Sequence, residues 1–210
     1  MKNSLLASAA VSALSACGGD TLNNFDANVN NFDAFAEKID TYNMVGFQEI
    51  DVNDLPHTAD MKGFITGYQE SYKNLFVGTA HATADFNAGS LNGSASNFEE
   101  YGDNGGNANN GCSENLKDCN LTLIQPLDGS LTISGTIENF KFSFFIDGTL
   151  LGKDLEGSPI NAKVDLAGSG DFGMINDNLA AVGLSEGTVV LTLGEDEFKE
   201  DINGILYLEE

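Results

Sequence analysis

The chain contains no arginine: all nine of its basic residues are lysines, set against 32 aspartates and glutamates. Nucleic acid is thereby excluded as a partner, since neutralising phosphates requires clustered Lys and Arg and this field has the opposite sign. Without arginine there is also no planar fork for bidentate recognition of carboxylate or phosphate. Histidine is nearly as scarce, with only His57 and His81. The one Gly-x-Ser-x-Gly run, Gly183 to Gly187, leads into the alternating strand-like run Thr188 to Leu193 and not into a helix, so it lacks the strand-to-helix elbow that activates a hydrolase serine. No glycine-rich loop followed by lysine offers a phosphate cradle. Acidic pairs are so abundant that they carry no signal for carboxylate catalysis. These absences argue against an enzyme. Nor does any stretch approach the roughly 20 apolar residues of a membrane-spanning helix.

Proline is rare, at 3 residues, whereas glycine is frequent, at 24, a balance that favours turns, bulges and bent strands. Hydrophobic content of 41% with 14 phenylalanines supports a folded core. At 210 residues the chain suits one domain plus an anchor segment. The acidic excess admits two readings. One is a highly solvated surface suited to saline or exposed surroundings; the other is attraction of cations or of a basic partner.

The N-terminus carries an address. Lys2 precedes a short apolar stretch, Leu5 to Leu14, of the length found in secretory signals. The run Leu14-Ser15-Ala16-Cys17 resembles the cleavage and lipidation site of bacterial lipoproteins, which implies a mature chain beginning at a lipidated Cys17. Gly18 and Gly19 follow in place of an aspartate. By the same resemblance this directs the protein to the outer membrane, anchored through its N-terminal lipid and facing either the periplasm or the exterior. Removal of Lys2 with the leader leaves eight lysines against 32 acidic residues, a net charge of −24. The expected organisation is a signal peptide over 1–16, an anchor, spacer and amphipathic helix over 17–50, and a β domain over 51–210.

Cys112 and Cys119 lie in one polar segment. In an exported protein they are expected to form a local disulfide, worth about 2.5 kcal/mol for so short a loop. Two thiolates without neighbouring His or Cys fall short of a zinc site. The acidic segments 103–110 and 195–201 do not reproduce calcium-loop spacing, so no metal site is expected.

Phe25, Val29, Phe32, Phe35, Ala36, Ile39 and Tyr42 repeat at three-and-four spacing, which predicts a helix over Thr21 to Tyr42. From about Asp51 short alternating runs separated by Gly, Asn and Asp predict eight strands. They are Met61 to Gln69, Leu75 to Phe86, Ser90 to Glu99, Leu131 to Ile137, Lys141 to Leu151, Ile160 to Gly170, Thr188 to Leu193 and Ile202 to Leu208. Joined by short turns, they close most economically into an eight-stranded antiparallel up-and-down β-barrel, an all-β fold without open edges. Gly89 to Phe98 is echoed by Gly129 to Phe140, suggesting two equivalent turn-and-strand units 40 residues apart, or two hairpins of a meander.

Ala84-Asp85-Phe86, Gly89-Ser-Leu-Asn-Gly93, Asn97-Phe98, the entry Asp54-Leu55-Pro56 and the closing run Ile202 to Tyr207 resemble the β-barrel domain of transferrin-binding protein B-like lipoproteins. The resemblance covers roughly Leu55 to Glu210. It implies an outer-membrane barrel that binds a macromolecular partner, in nutrient or iron acquisition. None of that family's host-protein contact residues has a counterpart here, so transferrin itself is not the expected partner. A small-ligand carrier is the alternative, with haem ligated by His81 in a strand or by Tyr68 or Tyr72 near a turn. A structural envelope protein is the third reading. Partner specificity is expected in a loop around Glu99 to Cys119. The protein is expected to be a monomer with no resident cofactor.

Overall fold

The computed structural model describes residues 30–48, 50–51, 55–69, 74–103, 121–154 and 156–210. One helix precedes eight strands: α1 (Asn31–Val45), β1 (Thr58–Gln69), β2 (Asn74–Asp85), β3 (Ser90–Asp103), β4 (Leu121–Glu138), β5 (Lys141–Lys153), β6 (Pro159–Ile175), β7 (Asn178–Leu193) and β8 (Asp196–Glu209). Each strand pairs antiparallel with the next, and β8 returns to β1, so the sheet closes into a barrel in chain order. The fold expected from the sequence is the fold observed.

Alternation explains the wall. Along β5, Phe142, Phe144, Ile146 and Leu150 are buried inside, while Ser143, Phe145, Asp147 and Thr149 face out. Inward residues from all eight strands form one apolar core. Eight strands leave an interior just wide enough for side chains to fill, and the glycines decide how it is filled. Phe144 lies over Gly168 and Gly183, and Phe142 over Gly170, so closely that a Cβ on any of these glycines would come within 2.6 Å of a ring. Phe142 also stacks on Phe144 and Phe172, with centroids 5.4 and 5.0 Å apart.

A second apolar cluster lies outside the barrel. Phe32, Phe35, Ala36 and Ile39 of α1 cover outward residues of the wall, including Phe64, Val77, Tyr101, Ala180 and Tyr207. At 15 residues α1 is marginal as an isolated helix. Each buried Phe or Ile contributes about 1.5–3 kcal/mol, so the wall supplies what helix propensity does not. The described helix starts at Asn31: Asn30 is extended and caps it, its side chain accepting from the Asp33 amide at 2.8 Å, while residues 21–29 of the expected helix lie outside the described residues. Gly46, at φ 64°, closes the other end with its N–H on the Tyr42 carbonyl.

Strand boundaries also differ, most at three strand starts. β7 begins at Asn178 rather than Thr188, because Leu179, Ala180 and Ala181 are buried in succession and erase the alternation. β4 begins at Leu121 rather than Leu131, and its first half contains Pro126. β8 begins at Asp196, so most of the acidic run 195–201 is strand rather than loop. The echoed segments are not equivalent units. Gly129 lies inside β4 opposite Leu150, and Asn97-Phe98 is a bulge in β3 where Asn139-Phe140 is a turn. Residues 90–95 instead pair directly with 131–136, both copies directing a leucine inward, Leu91 and Leu131.

Candidate functional site

The two ends of the barrel differ in chemistry. At the end where the chain enters and leaves, Ile50, Leu55 and Phe86 pack against the core, and Phe86 meets Phe172 at 5.0 Å. That end is apolar and plugged. Toward the opposite end the inward positions become polar: Gln69 of β1, Asn74 of β2, Glu100 of β3 and Gln125 of β4.

Three of these side chains, Asn74, Glu100 and Gln125, are tied into one cluster. The Glu100 carboxylate accepts from Asn74 Nδ2 at 2.7 Å and from Gln125 Nε2 at 2.8 Å. Gln125 also donates to the Lys153 carbonyl at 2.8 Å and accepts from the Lys153 N–H at 2.9 Å. Its amide thus substitutes for a strand partner, because β4–β5 pairing stops at Asp128 and Leu151. Gln69 is 2% exposed, and its Nε2 has no hydrogen-bond partner. A buried amide donor left unpaired costs about 1–3 kcal/mol. The rim can hydrogen-bond a polar group through its amides and the Glu100 carboxylate. Among the described residues no group of three or more His, Cys, Asp or Glu could hold a metal ion.

The rim is uneven. β1 last pairs with β8 at Gln69 and Ile202, whereas β7 and β8 continue together to Leu193 and Asp196. On the far side β3 and β4 continue to Asp103 and Leu121. β8 therefore outruns β1 and β4 outruns β5, whereas β7 ends nearly level with β6 and β3 nearly level with β2.

Glu99 and Tyr101 point outward from β3 and hold the helix. The Asn31 N–H donates to Glu99 at 2.9 Å, the Tyr101 hydroxyl donates to the same carboxylate, and the Phe32 N–H donates to the Tyr101 oxygen at 3.3 Å. A carboxylate at a helix N-terminus satisfies free N–H groups and opposes the dipole. Burial foremost, then the bond to Glu99, pushes the Tyr101 hydroxyl far above its ordinary value of 10.0. Tyr207 is raised likewise by burial and by Glu209, to which it donates at 2.9 Å and which also takes Lys38 of α1. Glu99 is therefore a docking residue in a strand and not part of a specificity loop.

Of the candidate haem ligands, His81 is exposed on the outer wall of β2 between Lys62 and Ser94, and Tyr68 is 40% exposed on β1. His81 pairs with Lys62, six residues from Tyr68, which separates the two by about 20 Å at ~3.4 Å per strand residue. The structure does not bring them together, and neither enters the barrel. Tyr72, Cys17, Cys112 and Cys119 lie outside the described residues, as do most of 103–110 and of the expected loop up to Cys119. His57 Nδ1 accepts from Asn87 Nδ2 at 2.8 Å near the plugged end, a structural bond.

The sequence reading missed the polar rim. Its signal was the inward parity of β1, Ala59, Met61 and Ile65, which reaches a glutamine at 69. No family model, no curated protein and no solved structure matches the chain.

Proposed function

We propose that this protein is a non-enzymatic outer-membrane lipoprotein, held by a lipid on Cys17, whose barrel binds a macromolecular partner in nutrient or iron acquisition. The observation that supports this most is the filled interior: phenylalanines seated on inward glycines occupy the space a carrier would give its ligand. Recognition then falls to the rim and walls of a rigid scaffold. The outer wall suits an aqueous setting, with Asp147, Lys163, Asp165 and Glu186 all directed outward. Transferrin-binding protein B-like lipoproteins, which the sequence resembles, present a barrel in this manner.

α1 is held on the wall through Glu99, Phe35 and Lys38. A small-ligand carrier has less support, because His81 and Tyr68 are far apart on the outside. The test is affinity capture on the immobilised mature chain from the organism's envelope and growth medium, over a range of salt concentrations. A saturable partner is expected; failure to retain any partner at every salt concentration would refute the reading. Mass spectrometry of the native N-terminus checks the anchor, and an unmodified Cys17 removes it.

A further inference from the structure

We infer that the overhanging edge of β8, residues 196–201, is a docking edge for a lysine-rich extended segment of a partner, which adds to the sheet as a further strand. The inference rests on the partner-binding reading above and gives that partner a chemistry.

The edge is free among the described residues because β1 stops at Gln69, opposite Ile202, while β8 extends to Asp196 against β7 without a break in register. The side that is open follows from strand geometry. The Ile205 N–H points to β1, where it donates to Thr66 Oγ1 at 3.1 Å. Backbone groups alternate sides along a strand, so the N–H and C=O of Asp201, Lys199 and Glu197 point the same way, past the end of β1. Their side chains are exposed on the outer face, and Phe198, 46% exposed, stands on the inner one. Such an edge invites another strand.

The charges select which one. Asp196, Glu197, Glu200 and Asp201 outnumber Lys199 along the edge. A second copy pairing antiparallel about Lys199 would set Glu197 opposite Asp201 twice and lysine opposite lysine, and like charges directly opposed destabilise a pair. By parity Asp196 and Glu200 share the inner face with Phe198, while Glu197 and Asp201 flank Lys199 on the outer face, so a lysine-rich extended segment finds carboxylates on both faces and an apolar contact at Phe198. The overhanging edge of β4 is closed to strand addition by Pro126, which has no N–H, and by Gln125, whose amide occupies the Lys153 backbone.

The test uses the whole mature chain and a fluorescein-labelled, acetylated eight-residue peptide of alternating lysine and valine, with a glutamate–valine peptide as control. Fluorescence anisotropy should show binding of the lysine peptide alone. Lys199→Pro removes the central outward N–H without removing a bond to β7, and Lys199→Thr removes the same charge but keeps the N–H. Strand addition predicts at least a tenfold loss of affinity in K199P and equal or tighter binding in K199T. Equal binding by the two variants would overturn the inference, leaving only diffuse attraction to an acidic wall. Should K199P not fold, amide exchange in the unmodified protein decides: peptide must slow exchange at residues 197, 199 and 201, and unchanged exchange there refutes docking. A natural partner captured equally by the wild type and K199P would sustain the general binding reading while removing this one.

Discussion

Substituting Gly183 by alanine should destabilise the barrel in the presence of Phe144 and cease to do so in its absence. An alanine Cβ at Gly183 would sit 2.6 Å from the Phe144 ring edge, against 3.1 Å from both the Phe142 ring and the Ser169 carbonyl. Overpacking of this kind costs about 1–3 kcal/mol. Against it stands a gain of about 0.4–1 kcal/mol from the stiffer unfolded chain, so G183A alone should lose about 1–2 kcal/mol. Phe144 is 1% exposed in the core, and F144A should cost about 3–5 kcal/mol through lost burial and a cavity. In the double variant the new methyl enters that cavity, its nearest remaining neighbours are tolerable, and its burial returns about 0.8 kcal/mol. The coupling should therefore be about 2 kcal/mol, well above the scatter of independent sites. Urea unfolding of the four proteins, read by midpoint at an unchanged slope, measures it. Additive losses would show that Phe144 does not occupy the space over Gly183 and would reopen the interior to a ligand.

The remaining expectations concern α1, pH and haem. Phe35→Ala, which removes a ring buried against Phe64, should cost about 3–5 kcal/mol and expose α1 to limited proteolysis. Lys38→Ala should cost under about 1 kcal/mol, because its pairing with Glu209 is partly solvated; equal proteolysis of the two would contradict the docking account. The Tyr101 and Tyr207 hydroxyls are raised above their unfolded value of 10.0. Their contribution to stability should be fully present below about pH 10 and fall as pH rises beyond it, since the unfolded chain releases those protons first. Urea titrations at neutral and high pH should show the decline, and Y101F/Y207F should flatten it. Titration of the mature protein with equimolar haem should give no Soret shift, as His81 and Tyr68 stand apart on the outer wall; a shift lost in H81A would restore the carrier reading.

Much of the fold was legible because alternation and turn residues are local. Lys141 to Leu151 reads inward and outward residue by residue, and β5 follows it. The reading failed where tertiary structure buries both faces, as at Leu179 to Ala181, or where an overhanging strand contains a residue that strands normally avoid, as at Pro126. The helical stripe was visible, but the cap at Asn30 depends on a partner, the Asp33 amide, that becomes available only once the turn forms. The candidate rim was not legible, because Gln69 and Asn74 are far from Glu100 and Gln125 in the chain and the four come to one end of the barrel only when the strands pair.

By itself the sequence determined the strand count and the apolar stripe of α1, because periodicity is a property of the chain alone. Which wall receives α1, which end carries Gln69, Asn74, Glu100 and Gln125, and that β8 outruns β1 were decided only by closure of the barrel. Strand register is set by pairing between distant segments, and a polar residue becomes part of a rim only when its inward parity and its height along the wall are fixed together.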